Sequence, residues 1–216
     1  MYDAIETIEH KGHTIEIFPD THEGDGPRDW DNLCELHCWH RNMNLGDENY
    51  YLDSVDEERK LKDVLKEAKK NRDIVLKLYI YQHSGVALSL DRTGQFCCPW
   101  DAGQVGYVII RRKPALEEWG KKILSPKFRK KLISIAYGEI QTYNQYLCGD
   151  IYGYVIDDDE DSCWGYYGEE GKEQAITEAK GIIEHIVNEA RTEHQEKLKA
   201  QIKHGTPLEK REPLTT

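Results

Sequence analysis

The 216-residue chain contains no run of 18 apolar residues. Its opening stretch carries Asp3, Glu6 and Glu9, where a secretion signal would carry basic and then apolar residues. A membrane span is therefore not expected, and the cytoplasm is the expected compartment. Bases are in deficit, with 29 Lys and Arg against 40 Asp and Glu and a net charge of −11. A surface that binds the phosphate backbone needs a basic footprint, so direct nucleic-acid binding is not expected. No Cys-x-x-Cys pair occurs, and the six cysteines read as free thiols, because a chain of this length holds a core without disulfides. No repeat and no Gly/Ser- or Pro-rich linker divides the sequence. One domain over 1–190 is expected, with a polar tail over 191–216 that is partly helical or loose.

The charge that is present is unevenly placed. The net is −11 over residues 1–60, +7 over 61–150 and −7 over 151–216. Two arrangements follow: complementary surfaces that meet within the fold, or an acidic face turned to a basic partner. The second requires the two acidic segments to lie side by side.

Hydrophobic periodicity predicts the elements. Residues 2–9 and 13–18 alternate around His10-Lys11-Gly12, which reads as a hairpin. Strands are expected over 33–40, 74–81, 86–90 and 105–111, and a second hairpin over 151–156 and 162–167. Helices are expected over 54–71, from Pro114 to Gly120, from Ser125-Pro126 to about Leu147, and over 174–190. Strands in antiparallel pairs with three main helices make an α+β fold with a mostly antiparallel sheet.

Several clusters could carry chemistry. The segment from Gly94 to Gln104 packs Cys97, Cys98, Trp100 and Asp101 between two apolar strands, with His83 upstream at a strand turn. Cys98, His83 and Asp101 supply the residue types of a thiol nucleophile, its base and an orienting carboxylate. Pairing of 74–81 with 86–90 would put His83 at one sheet end and the Cys98 loop at the other, so the chain would have to curl back. Glu139 falls within the apolar seam of its helix, where a carboxylate must be paired or serve beside a pocket. Cys34, Cys38 and His40 share one strand face, but residues four apart on a strand are ~13 Å apart. The acidic turn Asp157–Asp161 lacks the glycine a calcium loop needs at its sixth position. No metal site and no cofactor is therefore assigned. A metal-stabilised module stays an alternative with a bend in the strand of Cys34 and Cys38 or with ligands from Cys97 and Cys98.

Thirteen tyrosines stand against three phenylalanines. Rings with a polar tip suit protein interfaces, and the expected binding residues are Trp100, Tyr152, Tyr154, Trp164 and Tyr166, with Asp158 and Asp159 of the acidic turn.

Three runs carry a resemblance: Cys98-Pro99-Trp100-Asp101-Ala102-Gly103-Gln104-Val105-Gly106, the stretch from Tyr143 to Tyr154, and Ser162-Cys163-Trp164-Gly165-Tyr166-Tyr167-Gly168. Over roughly residues 28–170 the chain resembles a family of small proteins carried by phages, plasmids and conjugative elements of Gram-positive bacteria. The resemblance implies a context and no catalytic residue: an accessory protein that binds a host protein, such as an enzyme of host defence, and inhibits it. The reading from a different class is a thiol-dependent enzyme using Cys98, His83 and Asp101 or Glu139.

Overall fold

Lys11 and Gly12 both take positive φ, 51° and 86°, the geometry that lets a two-residue turn join twisted antiparallel strands. They join β1 (Glu6–His10) to β2 (His13–Pro19). Then follow β3 (Cys34–Cys38), β4 (Glu48–Asn49), α1 (Val55–Asn71), β5 (Ile74–Gln82), β6 (Val86–Ser89), β7 (Ala102–Ile110), α2 (Arg112–Glu118) and α3 (Pro126–Cys148). The chain continues with β8 (Ile151–Ile156), β9 (Asp161–Tyr167) and α4 (Gly168–Lys203). The computed structural model describes residues 3–21, 26–157, 161–205 and 207. The α+β class holds, with antiparallel pairing dominant and α1, α3 and α4 as the main helices. Among the described residues no helix is long and apolar enough to cross a membrane.

The chain divides into two compact units, Met1–Thr21 with Ile151–Thr216, and His22–Asp150. In the first, the sheet runs β1-β2-β8-β9, antiparallel throughout. Ile15 lies opposite Ile156 and Ile17 opposite Tyr154, so the alternating residues of β2 and β8 share one face. That face is covered by α4, which buries Ala175, Ala179 and Ile183 against it. Small side chains let the helix come close, and Ile183 is the one large residue that α4 buries fully. The apolar stripe fades after Ala190, yet the helix continues to Lys203. Its exposed last part carries the i,i+4 pair Glu193–Lys197, at 2.9 Å.

The second unit has the sheet order β4-β3-β7-β5-β6, with only β3 and β4 parallel. Leu36, Val108 and Leu78 point to the face where α3 buries Phe128, Leu132, Ala136, Ile140 and Tyr143. Ser125 caps α3 by accepting from the Phe128 N–H, and Gly149 ends it at φ 69°. Asn144 bonds both the N–H and the C=O of Leu88, at 2.7 and 2.8 Å, tying β6 to that helix.

This division answers the charge question. Residues 1–21 hold 5 acids and 1 base, and residues 151–216 hold 15 and 8, so the first unit carries the whole −11. Residues 22–150 hold 20 of each, and the second unit is neutral. The acidic N-terminal 60 residues are thus shared between the units.

Candidate functional site

The Cys98 loop ends where β7 begins, and β7 is antiparallel to β5, so Asp101 arrives beside Gln82 at the end of β5. The Gln82 N–H donates to the Asp101 C=O at 2.8 Å. The chain does curl back, and His83 and the Cys98 loop meet at one sheet end rather than at opposite ends. There the Cys98 thiol donates to Asp101 Oδ2 at 3.5 Å, and His83 Nδ1 lies 3.6 Å from the same oxygen. The carboxylate is the shared partner. A nucleophilic thiol needs the base at its sulfur, and here no hydrogen bond joins Cys98 to His83 among the described residues. Glu139 is elsewhere in the unit. It accepts from the Leu33 N–H at 2.8 Å and the Cys34 N–H at 3.3 Å, and lies 3.5 Å from Arg28. The carboxylate in the apolar seam is a structural clamp on the start of β3.

Around Trp100 the loop is braced on both sides. A 3-10 turn over Gly94–Cys97 closes with Cys98 N–H donating to Gln95 C=O, and Ala102 N–H donates to Cys98 C=O. Phe96 stands edge-on to Tyr81 at 6.4 Å, and the Cys97 thiol donates to Arg92 C=O. Pro99 and Trp100 project beyond this brace, and the indole is 90% exposed.

The other expected binding residues divide. Trp164 is 45% exposed, with its ring 6.4 Å from Phe18. Tyr152 is half-buried beneath the Lys172 ammonium, 5.9 Å from the ring centre. Tyr154 and Tyr166 are core residues, 1% and 8% exposed, and their rings meet at 5.9 Å under α4. Burial pushes the Tyr154 hydroxyl up to about 12 and raises Tyr166 as well. Neither can face a partner in this fold, because α4 occupies their side of the sheet. Asp158 and Asp159 lie outside the described residues.

All six cysteines are free. Burial pushes the Cys38 thiol up to about 12 and raises Cys34 further, which leaves both as inert core residues. Among the described residues no three His, Cys, Asp or Glu side chains gather as a metal set.

A second site escaped the sequence reading. On β3 the residues alternate: Cys34, Leu36 and Cys38 enter the core, while Glu35 and His37 face the side where α1 lies. The turn before β4 locks onto β3. Gly46 approaches so closely that a Cβ there would sit 2.7 Å from Leu36 O, and Asn49 closes the turn with two bonds to the Gly46 backbone. Asp47 accepts from the Leu36 N–H at 2.8 Å and pairs with Arg28 at 2.6 Å. Burial works against the Arg28 charge, but the bond and charge of Asp47, with Glu139, raise its pKa.

This register delivers Tyr50 to His37, a buried polar residue that is 4% exposed. His37 Nε2 donates to Glu35 at 3.2 Å, which leaves Nδ1 to accept the Tyr50 hydroxyl at 2.8 Å. Glu35 also receives Arg111 at 2.7 Å, and Arg111 reaches Asp73 at 3.3 Å. The His37 bond and then Arg111 hold the Glu35 carboxyl down at about 2. Burial, with Glu48 and Glu57 nearby, raises the Tyr50 hydroxyl. A phenol that stays protonated and donates to imidazole is a fixed wall, not a nucleophile. These residues line a cleft of about 740 Å3 whose carboxylates are Glu35, Asp47, Glu48, Glu57, Asp63 and Glu67, with Lys60 and Arg111 as its cations.

No protein-family model matches the chain, and no curated protein or solved structure is similar to it.

Proposed function

We propose that the chain is an accessory protein of a mobile genetic element that works in the host cytoplasm by binding a host protein, and that it inhibits a defence enzyme by that contact. The observation that carries the reading is Trp100, 90% exposed on a loop whose flanking backbone is hydrogen-bonded on both sides. A single exposed leucine would carry no such weight, since apolar atoms make up much of any protein surface. Tryptophan is the side chain most enriched at interface hot spots, and a braced loop loses little entropy when it is covered. The same residue lies in the run Cys98–Gly106 on which the mobile-element resemblance is strongest. The acidic first unit adds long-range attraction for a basic partner, which raises association rate more than affinity.

The test is affinity capture from lysate of a Gram-positive host at low salt, with the full chain as bait. Wild type is expected to retain a specific protein, and Trp100→Ala to weaken that binding by about thirtyfold, the size of a hot-spot loss. Recovery of no specific partner, or equal recovery by the variant, would overturn the proposal.

A further inference from the structure

Tyr50 lines two clefts at once. One is the carboxylate cleft beside α1. The other measures about 480 Å3 and is walled by Trp39, Tyr50, Tyr51 and Leu52 among others. Tyr51 and Leu52 are exposed there, and Trp39 is steadied by Tyr107, ring to ring at 5.6 Å. The wall common to both clefts is rigid, because His37 holds its hydroxyl.

The charges of the first cleft are only partly matched. Glu35 has Arg111, Asp47 has Arg28, Glu57 has Lys60 and Asp63 has Lys66. Glu48 and Glu67, both exposed, make no close ion pair among the described residues, although the charge of Glu48 also bears on Lys60. The pair of clefts therefore offers, on one side of Tyr50, an aromatic seat that Arg41 and Asp53 also line, and on the other six carboxylates against Lys60 and Arg111, with Glu48 and Glu67 outside the close ion pairs.

We infer that the two clefts form one docking groove for an extended basic segment of a protein, with an aromatic or aliphatic side chain on Trp39, Tyr51 and Leu52 and an arginine or lysine beside Glu48 and Glu67. Charge complementarity selects the cation, and the apolar wall selects a peptide over a small polyamine, which would leave that wall uncovered. None of the residues of the Trp100 loop lines either cleft. The choice of a protein segment as occupant rests on the proposal that the chain acts by binding proteins.

The experiment titrates the 15N-labelled full chain with an end-blocked peptide, Gly-Leu-Trp-Arg-Arg-Gly, to millimolar concentration. Amide shifts are expected within residues 35–67 and at Arg111, the residues that line the two clefts. Glu48→Gln with Glu67→Gln should weaken binding about tenfold, and Tyr51→Ala with Leu52→Ala by a similar factor. Trp100→Ala should leave it unchanged. The control Gly-Leu-Trp-Glu-Glu-Gly should not bind. Equal shifts with the control, shifts confined to residues that line neither cleft, or equally tight binding of Gly-Gly-Gly-Arg-Arg-Gly would overturn the groove. Peptide binding without capture of a host protein would sink the Trp100 proposal alone, and capture without peptide binding would sink the groove alone.

Discussion

The two units solve the same problem, a sheet covered by helix, with different means. The first sets a single helix on four strands and seats it through buried Ala175, Ala179 and Ile183, with half-buried Ile176, Ile182 and Val187 beside them. The second spreads its contact over the larger side chains of α3 and fixes the start of β3 with part-buried charge, through Arg28, Asp47 and Glu139. One unit carries the full net charge in its sequence, whereas the other carries equal numbers of both signs and pairs several of them. The difference shows where each is vulnerable. Close packing concentrates stability on one stripe of side chains, and a part-buried ionic clamp makes stability conditional on every member being present.

Three changes press on this contrast. Ile183→Ala should have the largest effect, a loss of about 2–5 kcal/mol in urea unfolding, with faster amide exchange in β2 and β8. A loss under about 1 kcal/mol would move the seat of α4 onto its alanines. Glu139→Ala should cost about 1–3 kcal/mol, because the Leu33 and Cys34 N–H groups lose their acceptor and Arg28 loses a counter-charge. Glu139→Gln, which keeps an acceptor oxygen, should cost less, and equal costs would assign the effect to charge alone. The smallest effect concerns pH. The Glu35 carboxyl is held at about 2 against an ordinary value of 4.5. A carboxyl depressed on folding contributes stability above its unfolded value and loses it as the pH falls toward the folded one. Stability should therefore decline between those two values, and Glu35→Gln should flatten that limb. An unchanged acid limb would remove Glu35 from the account.

Local elements were legible because local chemistry sets them. Lys11-Gly12 announces its turn, Ser125-Pro126 and Gly149 bracket α3, and the alternation of Cys34 to Cys38 marks a strand with a polar face. Glu139 was legible as a residue in need of partners, though not which partners. Pairing across distance was not legible. Nothing in β2 names β8 as its neighbour, since many apolar strands would satisfy the same face. Tyr50 and the two-residue β4 escaped for a related reason. Their position depends on the close approach of Gly46 to β3, and their own stretch shows no period. The tyrosines of β8 and β9 misled because a ring with a polar tip looks the same in sequence whether a partner or the protein's own helix covers it.

The insertion of residues 22–150 between β2 and β8 also orders events at the ribosome. The first hairpin emerges early and can close its own two-residue turn, but one of its edges must wait for β8. At ordinary elongation rates, synthesis of the intervening 129 residues lasts on the order of ten seconds. For that interval the nascent chain carries an unpaired strand edge with Ile15 and Ile17 uncovered, and by its end the inserted unit has all its strands and can fold. During synthesis the unit that appears first is the one completed last.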